Sequence, residues 1–66
     1  MEIPMSVILE DFVSEEELAS DLAKNPRTIK RWRDLGDGPP YVRVGRTVFY
    51  RREAIREWLL RREVRT

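Results

Sequence analysis

The sequence predicts one mainly α domain with a small β-hairpin, and three features carry that prediction. Two helical patterns separated by two or three residues occupy positions 14–36. Positions 41–50 switch to strand-like alternation around Gly45-Arg46, and positions 52–64 return to helical spacing.

The first helix lies in "SEEELASDLAKN". Ser14 and Glu17 have the spacing of a capping box, in which each side chain receives the other's backbone amide. Phe12 or Val13 can staple against Leu18. Leu18, Ala19 and Leu22 share one face, and the acids at 15, 16, 17 and 21 take the rest, the early ones suiting the positive end of the helix dipole. The second helix opens at Asn25, a good N-cap, with Pro26 at the first helical position where its missing amide is not needed. Ile29 and Trp32 form a narrow apolar stripe with Leu35 near the end, and Gly36 is the stop signal. A two-residue loop with glycine first is the signature of a type II′ hairpin turn, which pairs Val44 with Thr47 and Val42 with Phe49. In that register Val42, Val44 and Phe49 are expected on the core face. The opposite face of Tyr41, Arg43, Val48 and Tyr50 is too apolar for alternation alone to decide the facing. Ala54, Ile55, Trp58 and Leu59 then mark one side of a last helix that starts near Arg52 and frays beyond Glu63, leaving Leu60 and Val64 off the stripe. Helix, tight turn, cationic helix, hairpin, helix is the order of a winged helix-turn-helix. It is expected over 14–66, behind an N-terminal extension of residues 1–13 in which Val7, Ile8 and Leu9 suit a strand or a short helical turn and Met1 to Pro4 are expected to be loose.

At 66 residues the chain has room for one core, and with no cysteine and no histidine it lacks disulfides and the usual zinc ligands. No catalytic constellation stands out: the acids cluster on helix faces without an apolar pocket to raise a pKa, so no enzymatic activity is expected. Gly36, Gly38 and Gly45 lack the glycine-lysine-serine/threonine ending of a phosphate loop. No cofactor or metal is expected. No apolar run approaches the roughly 20 residues of a membrane span, and the first residues are acidic where a signal peptide is basic, which reads as an intracellular protein.

The net charge of +1 hides a polarity along the chain. Seven acids and one base precede residue 25; twelve bases, eleven of them arginine, and five acids follow. Arginine's planar fork suits phosphate or guanine recognition, so this segregation points to a polyanionic partner for the C-terminal two-thirds. A duplex major groove accepts one α-helix, and the second helix would present Arg27, Thr28, Lys30 and Arg31 to base edges and phosphates, with Arg33 also off the apolar stripe. Arg46 at the hairpin tip would enter the minor groove or clamp its flanking phosphates, and Arg43, Arg51 and Arg52 would neutralise backbone charge at the base of the wing. Glu53, Glu57 and Glu63 offer helical partners to Arg56, Arg61, Arg62 and Arg65. Trp32 and Trp58 can be read as base-stacking platforms, but their spacing with Ile29 and Ile55 assigns them to the core.

The residues "RTIKRWR", "GPPYVRVGR" and "YRREAIREWL", within a resemblance covering about positions 14–60, make the chain similar to the small MerR-like winged-helix proteins grouped as phage excisionases, or recombination directionality factors, and their prophage-regulator relatives. The resemblance implies a non-enzymatic binder of double-stranded DNA, with the second helix in the major groove and the wing in the adjacent minor groove. It further implies several copies loading cooperatively on attachment-site DNA, bending it, and directing a phage integrase toward excision. Carried over, Arg27, Thr28, Lys30 and Arg31 match the helix contacts and Arg46 the wing contact; the location implied is the cytoplasm of a bacterial host, associated with the nucleoid. The extension before residue 14 exceeds the minimal pattern and is a candidate for covering the core or touching a neighbour or integrase. A small transcriptional regulator using the same surface is the near alternative, and a protein-interaction adaptor that kept the fold is a second. A lone module offers about 600–1,000 Å² to DNA, so neighbouring copies are expected, with Leu60, Val64 and the acidic first helix as candidate surfaces.

Overall fold

The computed structural model describes residues 9–64, in the order β1 (Phe12–Ser14), α1 (Glu15–Asp21), α2 (Pro26–Leu35), β2 (Val42–Val44), β3 (Thr47–Arg51) and α3 (Arg52–Arg61). The expectations for Met1 to Pro4, Val7, Ile8 and Arg65 lie outside the described residues; Leu9 stands in a turn, its carbonyl accepting from the Phe12 amide at 3.0 Å. Three helices and a three-stranded antiparallel sheet of order β1-β3-β2 make a winged helix-turn-helix. No helix among the described residues is long and apolar enough to cross a membrane.

β1 is the element that sequence reading did not anticipate. Phe12 and Val13, assigned to the extension, pair instead with Arg51 and Tyr50 of β3, and Ser14 pairs with Phe49. The strand passes directly into α1, whose N-cap Ser14 accepts from the Glu17 amide at 3.1 Å. Only this half of the capping box forms as expected. The Ser14 hydroxyl donates weakly to the Glu17 carboxylate at 3.4 Å, while Ser14 itself lies at the end of the sheet ladder. The expected staple is Val13, which is buried beside Leu18.

α1 ends at Asp21, earlier than its helical pattern, because Ala23 turns into the left-handed region at φ +56°. There the Ala23 and Lys24 amides donate to the carbonyls of Ser20 and Ala19 at 3.1 and 2.8 Å, closing the helix as a Schellman motif. α2 follows its signals closely. The Asn25 side chain accepts from the Arg27 amide at 2.9 Å, and Gly36, at φ +75°, ends the helix with its own amide on Arg33 and that of Asp37 on Trp32. Leu35, expected on the apolar stripe, is 63% exposed, because the core beneath α2 is already closed by Ile29 and Trp32.

The hairpin register is the expected one, Val42 with Phe49 and Val44 with Thr47. Gly45 has φ +62° and Arg46 does not share the positive φ, which is the II′ pattern. The facing is the reverse of the expected one. Val48 and Tyr50 point to the core with Val13, whereas Val42 and Val44 are exposed and Phe49 is half-buried on the outer face. Directly opposed residues share a face, so β1 sets Val13 beside Tyr50 and adds a third buried apolar side chain to that side. The Tyr50 hydroxyl, which alternation counts as polar, donates to Glu15 Oε2 at 2.9 Å and so enters the core satisfied.

The core is Val13, Leu18, Ala19, Ile29, Val48 and Tyr50, with Leu22, Trp32 and Ile55 packed against it. α3 closes one end through buried Ala54 and Trp58, whose ring lies 5.7 Å from that of Trp32; Leu59, expected inside, is exposed. α3 ends at Arg61, ahead of the expected Glu63, with the Arg62 amide returning to the Leu59 carbonyl at 3.0 Å.

Two stability predictions arise from this packing. Alanine in the left-handed region costs about 1–2 kcal/mol, partly offset for glycine by its freer unfolded chain, so Ala23→Gly should raise stability by about 0.5–1 kcal/mol in a urea titration with an unchanged slope. Burial first, and then the bond to Glu15, pushes the Tyr50 hydroxyl above its usual value. A raised pKa contributes stability that is complete below about pH 10 and is lost as pH rises through the folded value. Phe cannot make the hydroxyl's bond to Glu15, so wild type should exceed Tyr50→Phe in melting temperature at about pH 8, and because burial disfavours the phenolate the gap should close steadily above about pH 10.

Candidate nucleic-acid interface

Pro26 and the Asn25 cap fix where α2 begins, and its 100° per residue then sorts its side chains. Ile29, Trp32 and Arg33 fall on the inner side. Arg27, Lys30 and Arg31 fall on the outer side, where all three are exposed and line one shallow concavity with Asp34 and Leu35. Thr28 is half-buried on the flank. Among the described residues, none of Arg27, Lys30 and Arg31 has a carboxylate within ion-pair distance. Three cations around the one exposed carboxylate of Asp34 leave this face net positive, a field that attracts a polyanion.

The Gly45-Arg46 tip is brought beside this helix. Arg46 and Thr47 line a second concavity with Glu15, Glu16, Arg33 and Val48. Because Arg33 sits about 60° around α2 from Lys30, the wing tip approaches the flank next to the cationic face. Arg46 is exposed, with no ion pair among the described residues. Arg43, opposite Val48, is on the sheet face that carries the core but lies in the edge strand β2 and is exposed.

The other three candidates are engaged elsewhere. Arg33 is drawn out of the cationic group: its Nε donates to Glu15 Oε2 at 2.8 Å and its Nη2 to Oε1 at 3.4 Å, and its side chain is 9% exposed. The Glu15 hydrogen bond, more than any other influence, holds the Arg33 guanidinium above its ordinary pKa. Arg33 also lies 5.6 Å from the Tyr41 ring centre. Its position off the apolar stripe made it look free, and nothing in the local sequence pairs it with a residue eighteen positions earlier. Arg51, opposite Phe12, is on the outer face of the sheet, turned from α2, with Glu53 at 3.6 Å. Arg52 donates to the Glu10 carbonyl at 3.3 Å and holds the turn before β1.

Arg62, expected to pair with glutamates of its own helix, instead lies 4.4 Å from the Trp58 ring centre and donates to the Asp37 carbonyl at 2.9 Å. That carbonyl also accepts from Trp58 Nε1 at 2.9 Å. Trp58 is therefore a satisfied core residue, 8% exposed, and not a stacking platform.

No curated protein matches the sequence. A family model described as a helix-turn-helix domain matches residues 12–63, a span that begins at β1, runs through the cationic helix and the wing, and ends after α3. The chain belongs to this helix-turn-helix domain family, which includes excisionase-like small DNA-binding proteins.

Proposed function

We propose that the protein is a non-enzymatic architectural binder of double-stranded DNA, of the excisionase type, that loads on attachment-site DNA, bends it and biases an integrase toward excision. The observation that supports this reading most is the α2 face of Arg27, Lys30 and Arg31, unpaired among the described residues and flanked by the exposed Arg46 of the wing. A helix of 10 residues is about 15 Å long, enough to lie in a major groove, while a two-residue tip is narrow enough for the minor groove. Arg27, Thr28, Lys30 and Arg31 serve the first contact and Arg46 the second, with Arg43 on the adjoining phosphate. A simple repressor using the same face is the second reading.

An attachment-site fragment bent by the protein, with excision by integrase rising on its addition, supports the excisionase role. Promoter occupancy with unchanged excision would leave the repressor. Duplex affinity should fall with salt at a logarithmic slope of roughly −3.5 to −4.5, according to whether Arg31 reads a base or joins the other four cations on phosphates, and an affinity flat in salt would mean an adaptor without a DNA role. Arg31→Ala should cost about 1–3 kcal/mol of duplex affinity if it reads a base, with an unchanged melting temperature because the side chain is exposed.

A further inference from the structure

We propose that Glu15 is a positioning residue for DNA recognition: its carboxylate sets the angle of α2 relative to the wing and thereby the protein's preference among duplexes. The inference rests on the DNA-binding reading above.

The argument starts from how α2 is mounted. Its backbone lies close to α1, and it makes no comparable approach to β2 or β3, so the helix and the wing are joined through α1 and through side chains. Ile29 and Trp32 supply apolar contact, which is favourable but non-directional and tolerates rotation of the helix about its axis. The directional link is the Glu15 carboxylate. On one side it takes the Arg33 fork of α2 at 2.8 and 3.4 Å; on the other it takes the Tyr50 hydroxyl of β3 at 2.9 Å. Tyr50 lies in the strand that forms the wing, three residues after the hairpin's Thr47. One carboxylate, 16% exposed, thus ties the recognition helix to the wing through three charge-assisted hydrogen bonds, two from Arg33 and one from Tyr50.

Base contacts and phosphate contacts respond differently to a loosened mount. Bidentate base readout fails with small misplacement, whereas phosphate attraction is long-ranged and tolerant. Losing the Glu15 charge should therefore weaken preference while leaving non-specific binding intact, or strengthening it through the released Arg33. A residue that only stabilised the fold would lower both affinities together.

The test compares a duplex selected from random sequence by the wild-type protein with a scrambled duplex of equal length, at a temperature where circular dichroism shows each protein folded. Glu15→Gln should reduce the affinity ratio roughly tenfold, the worth of one well-placed base contact, with scrambled-duplex affinity unchanged or higher. Arg33→Lys keeps the charge without the fork and should move the ratio the same way; it carries the decision if Glu15→Gln does not fold. A folded Glu15→Gln or Arg33→Lys protein with the wild-type ratio overturns the inference and leaves DNA binding standing. A wild-type protein that binds no duplex overturns the DNA-binding reading, and this inference with it.

Discussion

The ion pair between Glu15 and Arg33, shared with the Tyr50 hydroxyl, is the constraint on which the rest of the molecule depends. It joins the first residue of α1, the last turn of α2 and the middle strand of the sheet. Both charged side chains are largely withdrawn from water, so either one left alone would be strongly destabilising, while together they satisfy one another. The bond also explains the sheet. Tyr50 is fully buried because its hydroxyl has a partner there, and with Tyr50 inward the period of the strand sends Val42 and Val44 outward.

A second directional tie holds the loop that follows α2. The Asp37 carbonyl receives both the Trp58 indole and the Arg62 guanidinium, and Arg62 lies over the Trp58 ring, so the loop after α2 is held against α3. Small domains without disulfides or metals bury too little surface for apolar packing alone to define one arrangement. In this one, two hydrogen-bonded clusters beside a short apolar core supply the missing specificity. They also decide which cations remain outside. Arg33, Arg52 and Arg62 are held by the fold, and Arg27, Lys30, Arg31 and Arg46 stay exposed without an ion pair among the described residues.

Charge segregation along the chain becomes segregation in space. The exposed acids Glu16 and Glu17 stand in the first turn of α1, favoured by the helix dipole, while the basic residues crowd α2 and the wing. Glu16 lies beside Arg46 at the edge of the cationic region, so the surface is bounded by repulsion of phosphate as well as defined by attraction.

Local chemistry was enough to locate the elements whose signals are local. Asn25-Pro26 and Gly36 bound α2, Gly45-Arg46 sets the hairpin register, and Ser14 caps α1, because each acts on backbone groups within a few residues. The candidate contact residues Arg27, Lys30 and Arg31 were legible for the same reason: helical periodicity alone separates them from Ile29 and Trp32. What tertiary structure alone decided were the matters that depend on distant partners. The strand at Phe12–Ser14 exists because β3 offers an edge to pair with. The inward face of the hairpin was a tie in its own alternation, broken by Val13 and Glu15 from elsewhere in the chain. Arg33 and Arg62 look like any surface arginines until Glu15 and the Asp37 carbonyl are brought to them. A guanidinium carries the same charge in either employment, and only the acceptors placed around it by the fold determine whether it braces the molecule or faces a ligand.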